Sequence, residues 1–120
     1  MTPSEIISAD AQQHGVDPNQ LLHFVHQRLQ EGKSSIISAG SSILLITHLA
    51  HGAVECHLYT QDNPTALRTS LSKFMDTMRQ AQVKRVYGKA DNPGILQLLR
   101  LIGLDVQHSD LPRFNWMANL

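Results

Sequence analysis

The chain has 120 residues, of which 42% are apolar, and its ten Lys and Arg balance ten Asp and Glu. That length suits one domain over residues 1–120, able to bury roughly two-thirds of its unfolded surface in a single core. The balance excludes a basic field that holds nucleic acid through its phosphates. The longest apolar run, Ile43 to Ile46, is far too short to span a membrane. Cys56 is the only cysteine, so no internal disulfide forms, in keeping with a reducing compartment. The opening Met1-Thr-Pro-Ser-Glu-Ile-Ile is acidic and short in apolar length, so no signal peptide is expected and a cytoplasmic location is.

Four segments share one start signal. Thr2-Pro3, Asp17-Pro18, Asn63-Pro64 and Asn92-Pro93 each put a capping side chain before a proline, which suits the first helical position. Glu5 and Gln20 follow Thr2 and Asp17 at capping-box spacing. The first helix is expected over Pro3–Gln13, stopping at Gly15. The second is expected over Pro18–Glu31, stopping at Gly32, with Leu21, Leu22, Val25 and Leu29 inward. Strands are then expected over Ser34–Ala39 and Ser42–Leu49, joined by Gly40-Ser41, and over Ala53–Thr60. In the last of these, Val54, Cys56 and Leu58 face one way, and Glu55, His57 and Tyr59 the other. A third helix is expected over Pro64–Gln82, burying Leu67, Leu71, Phe74, Met75 and Met78. A strand follows over Arg85–Lys89. The fourth helix, Pro93–Ile102, is apolar nearly all round, which predicts deep burial, and Gly103 ends it. Leu104–His108 and the tail Arg113–Asn119 are the last strand candidates. The strand-helix-strand unit from Ala53 to Lys89 implies a parallel pair, so the sheet is mixed and the order is α-α-β-β-β-α-β-α-β-β.

The stretch Val83-Lys-Arg-Val-Tyr-Gly-Lys-Ala-Asp-Asn-Pro-Gly-Ile-Leu-Gln-Leu-Leu-Arg-Leu-Ile-Gly-Leu-Asp-Val106 resembles the C-terminal half of the GNAT superfamily of acetyl-CoA-dependent N-acetyltransferases. The likeness covers roughly Ser34 to Val106, and less clearly the first two helices. It implies a compact GNAT-like α/β fold: a mixed sheet flanked by about four helices. The family normally starts with a strand before its two leading helices. Here a helix comes first, so that edge strand is expected to be missing or replaced.

In the family an Asn begins the helix and a Gly-Phe-like pair closes the region; Asn92 and Gly103-Leu104 match. The tyrosine that often protonates the leaving thiolate falls on Leu99, which cannot donate a proton. The family's pyrophosphate loop is Gln or Arg, two residues, Gly, one residue, then Gly or Ala. It registers onto Asn63, Ala66 and Arg68, and Pro64 removes a donor. Tyr59 and Thr60 end the strand whose backbone meets the pantetheine arm in the family. Glu55 and His57 sit where the family often has a general base. The run Leu58-Tyr-Thr-Gln-Asp through the Asn92 turn to Gly103 is further similar to the small acetyltransferase-like internal virion proteins of short-tailed bacteriophages, which adds the phage particle as a location.

Each candidate has a plainer structural alternative. Glu55 and His57 suit a polar strand face, and Tyr59 and Thr60 a strand end feeding a loop. His48, His51 and His57 lack convergent ligands for a metal, and His23 and His26 suit a polar or interface helix face. Cys56 alternates with Val54 and Leu58 and reads as a small buried hydrophobe. Phe114 and Trp116 would share one face of a final strand, closing the core or docking a partner. Two functions therefore stand. One is a binding or structural component with a degenerate active site, requiring no cofactor and engaging a protein partner or a second copy of itself, but neither nucleic acid nor membrane. The other is an N-acetyltransferase using acetyl-CoA on an amine of a small molecule or protein, through Glu55 or His57 as base and Tyr59, Thr60, Asn63, Ala66, Arg68 and Asn92 as cofactor contacts.

Overall fold

The computed structural model describes residues 1–120. The element order is α1 (Pro3–Gln13), α2 (Pro18–Gln30), β1 (Ser34–Ala39), β2 (Ser42–His48), a single 3-10 turn (Ala50–Gly52), β3 (Ala53–Thr60), α3 (Pro64–Gln80), β4 (Arg85–Gly88), α4 (Pro93–Leu101), β5 (Val106–Gln107) and β6 (Trp116–Asn119). The six strands form one mixed sheet in the order β1-β2-β3-β4-β6-β5, and only β3 and β4 are parallel. The order is the one expected from the sequence.

All four proline-led starts form as capped helices, with Thr2, Asp17, Asn63 and Asn92 as the capping residues. Thr2 and Glu5 exchange both bonds of a capping box. At Asp17 the expected box is replaced by a shorter cap, in which Asp17 accepts the Asn19 N–H at 2.9 Å. The element ends differ from expectation for local reasons. Gln82 adopts a positive φ of 64°, so α3 stops at Gln80. Leu104 turns into the core and donates its N–H to the Leu99 carbonyl, which shortens β5 to Val106–Gln107. Asn115 is held to Ala90 by a pair of 2.9 Å bonds, so β6 starts only at Trp116.

Helices cover both faces. On one, α1 and α2 meet β2 and β3 through Ile6, Ile7, Val25, Ile43, Leu45 and Tyr59. On the other, α3 and α4 meet Leu44, Ile46, Val54 and Val86 through Leu67, Leu71, Phe74, Met75, Met78 and Leu99. Burial on both faces is why Ile43-Leu-Leu-Ile46 reads as a continuous apolar run rather than an alternating one. Each fully buried large side chain contributes about 1.5–3 kcal/mol. Deep burial of α4 is not observed. Leu99 alone is fully buried and Leu101 is 59% exposed, because this nine-residue helix packs at the end of the sheet and only one stripe finds a partner. The final aromatics also part company. Trp116 lies in the α3/α4 core, whereas Phe114 precedes β6 and stacks on Tyr87 with ring centroids 5.5 Å apart.

Candidate functional site

The β3–β4 ladder runs from Ala53 opposite Arg85 to Cys56 opposite Gly88 and stops. β3 continues to Thr60, but β4 ends because Asn115 pulls Ala90 toward β6. The strands therefore splay, and Leu58 and Thr60 have no opposite residue on β4. A cleft of about 590 Å³ opens there, walled by Cys56, Leu58 and Thr60 of β3, Leu67, Leu71 and Met75 of α3, and Asn92, Ile95 and Leu99 around α4. Trp116 forms part of the wall. It lies so close over Gly88 that a Cβ there would stand 2.5 Å from the indole ring.

Sequence reasoning missed two residues at the cleft mouth. Asp10 of α1 is buried, and its Oδ2 accepts the Thr60 N–H at 3.0 Å, an amide that the splay leaves without a strand partner. His14, one turn on, places Nδ1 at 2.8 Å from the Asp10 carbonyl oxygen and 3.3 Å from Oδ1. Both oxygens accept, so Nδ1 is the donor, and in the neutral ring this tautomer leaves Nε2 as the acceptor. The only sequence signal was the i, i+4 spacing of Asp10 and His14 on one helix face; which strand that face meets is a tertiary fact.

Of the residues singled out from sequence, Thr60 and Asn92 line the cleft. Asn92 also caps α4, accepting the Gly94 N–H at 2.9 Å. Glu55, His57 and Tyr59 lie on the opposite sheet face, Glu55 and His57 against α2 and Tyr59 in the cluster formed with Ile6 and Ile7 of α1 and Val25 of α2. Glu55 is 3% exposed with Arg28 at 3.7 Å. His57 meets the Phe24 ring edge-on at 6.1 Å, and burial lowers its pKa, with the Arg28 charge adding to the effect and Glu55 opposing it. Burial pushes the Tyr59 hydroxyl up to about 12, helped by the nearby Asp10 charge. Burial, with the Glu55 charge, also raises the Cys56 thiol pKa. His48 and His51 are exposed on the strand end and turn beyond, and no three His, Cys, Asp or Glu side chains gather closely enough to hold a metal ion.

Asn63, Ala66 and Arg68 stand together at the start of α3. This is where a phosphate would meet helix N–H groups, and the amides there are mostly taken. Gln61 N–H donates to the Ser41 carbonyl, Asp62 N–H to Thr60 Oγ1, Ala66 N–H to Asn63 Oδ1 and Leu67 N–H to the Asn63 carbonyl. Pro64 has no N–H, so of residues 61–67 only Asn63 and Thr65 keep free amides. The loop also carries its own anion. Asp62 accepts from the Ser41 N–H (3.0 Å), Ser42 Oγ (2.6 Å) and Ser70 Oγ (2.9 Å). Burial disfavours its charge, but these three bonds outweigh that and hold its pKa below the usual carboxylate value. Arg68 is exposed and unpaired. The apolar cleft thus fits the narrow arm of an acyl-CoA, and the loop does not fit its pyrophosphate.

No protein-family model matches the sequence, and no curated protein matches it. Solved structures do. A GNAT-family acetyltransferase from Staphylococcus aureus matches with a TM-score of 0.60 and 14% identity, over 96% of this chain and 88% of that one. The Salmonella typhimurium protein yncA with its cofactor acetyl-CoA gives 0.56 and 16% over 97% and 83%. A ribosomal-protein-alanine N-acetyltransferase from Brucella melitensis gives 0.56 and 14% over 87% and 76%. At these identities the likeness establishes the fold alone, a GNAT-like α/β domain.

Proposed function

We propose that this protein keeps the acetyltransferase-like fold as a scaffold and acts as a binding or structural component, without the full catalytic machinery. The resemblance to internal virion proteins of short-tailed bacteriophages gives that role a concrete form, a virion-associated protein. The observation that carries the reading is Asp62. An ionised carboxylate fixed by three donors beside the α3 N-terminus already supplies the negative charge that helix dipole attracts. A pyrophosphate would meet repulsion there and find few free amides. Leu99, where a general acid would be needed, supports the same reading. The test is thermal melting with excess acetyl-CoA. A ligand at about 100 times its Kd stabilises a fold by about 2.7 kcal/mol, which moves the midpoint of a small domain by several degrees. No shift is expected at millimolar acetyl-CoA, and a clear shift would overturn the proposal.

A second reading, an N-acetyltransferase acting on an amine, is favoured by the Asp10–His14 pair. Its free Nε2 at the cleft mouth is suited to taking a proton from an amine. It requires turnover of acetyl-CoA with some member of an amine panel, and a large loss of that turnover in His14→Gln.

A further inference from the structure

β1 is the terminal strand of the sheet, and its outer edge has no neighbour. The register tells which backbone groups face outward. His48 N–H donates to the Lys33 carbonyl at 2.9 Å. In an antiparallel ladder the bonded pairs recur at every second residue. Ser35, Ile37 and Ala39 therefore turn their N–H and C=O groups to β2, and Ser34, Ile36 and Ser38 turn theirs to the open edge. None of the six residues Ser34-Ser-Ile-Ile-Ser-Ala39 is charged or proline, so the usual devices that keep an edge strand unpaired are missing.

We propose that this edge pairs with β1 of a second copy of the chain, antiparallel about a two-fold axis normal to the sheet, with Ile36 opposite Ile36. Such an axis maps each sheet face onto itself, so opposed residues must share a face. Centring on Ile36 meets that condition and sets Ser34 against Ser38, Ile36 against Ile36 and Ser38 against Ser34. Each bonded pair exchanges two hydrogen bonds, so three pairs satisfy every outward N–H and C=O of the strand. A slip of two residues in either direction leaves part of the edge unmatched.

Charge supports the same register. It puts Lys33 of the second copy opposite Ala39, on the α3 face of the sheet. Asp62 lies beside that point, bonded to Ser41 and Ser42 and close to Gly40. Within one chain neither Lys33 nor Asp62 makes an ion pair. Across the two-fold each gains one, and the arrangement repeats on the other side of the axis. The surface has room for it. A hollow of about 380 Å³ bordered by Ala39, Phe74, Asp76 and the exposed Lys73 can take the lysine stem, with its ammonium turned to Asp62 and away from Lys73. On the other face, a hollow of about 410 Å³ beside Ile36, edged by Leu22 and Leu29, can take Ile36 of the second copy.

Sedimentation equilibrium of the full chain at high micromolar concentration tests this. The expected mass is twice the 13.4 kDa of one chain. Ser38→Pro removes an outward N–H while leaving the bonds to β2 in place, so it is expected to give a folded monomer with an unchanged circular-dichroism spectrum. A monomeric wild type, or a Ser38→Pro protein that still dimerises, would overturn the proposal. Hydrogen exchange on the wild-type chain reads the same contact without any variant. The Ser34, Ile36 and Ser38 amides should be protected as well as that of Ile37, and free exchange at all three would equally overturn it.

Discussion

Asp62 joins three parts of the chain that are distant in sequence: the β1–β2 turn, the end of β3 and the inner side of α3. Charged hydrogen bonds are worth about 1.5–3 kcal/mol each, less where one partner can turn to water. Asp62→Ala should cost roughly 2–3 kcal/mol at neutral pH. The pH dependence has a definite sign. The folded-state pKa lies below the usual 3.8, so the stability Asp62 supplies is complete above that value and is lost as pH falls through the lower folded value. Urea titrations of wild type and variant should therefore differ at pH 7 and converge below pH 3.8. A gap of unchanged size in acid would show that the carboxylate charge is not what these bonds depend on.

At the scale of elements, the cleft exists because two strands part. β4 is short because Asn115 holds Ala90 away, and Trp116 can lie across the gap because residue 88 has no side chain. Gly88→Ala would drive a methyl group into the indole at 2.5 Å. Overpacking of this kind costs about 1–3 kcal/mol. Trp116→Phe removes the ring atoms that collide, so the double variant should lose less stability than the two single losses added together. Strict additivity in a double-mutant cycle would mean that Gly88 matters for its backbone freedom and not for the contact.

Across the whole molecule, two helical layers cover the sheet and leave the cleft wall apolar, with Cys56 set into it. The thiolate is the reactive form, and burial together with the Glu55 charge pushes its pKa up. A thiol-reactive dye should therefore label the native protein at least about tenfold more slowly than the unfolded chain. The rate should rise with denaturant in step with global unfolding, which takes the thiol out of the half-buried cleft wall and away from the Glu55 charge. Rapid labelling of the native state would show that the cleft gives a reagent ready access to the sulfur and that its surroundings do not hold back the thiolate. No helix is long and apolar enough to cross a membrane.

Local chemistry was legible in the sequence. Capping residues before prolines set four helix starts, and the alternation in Ala53–Thr60 assigned its two faces. These features depend on a residue and neighbours within a turn or two, so spacing alone reveals them. What only the tertiary structure decided is which faces meet. Asp10 reaches Thr60 across fifty residues, Asp62 fills the loop before α3, Glu55 and His57 lie under α2 away from the cleft, and α4 covers only one of its apolar stripes. Such contacts come from the packing of whole layers, where burying one face of a helix fixes the positions of all the others on it.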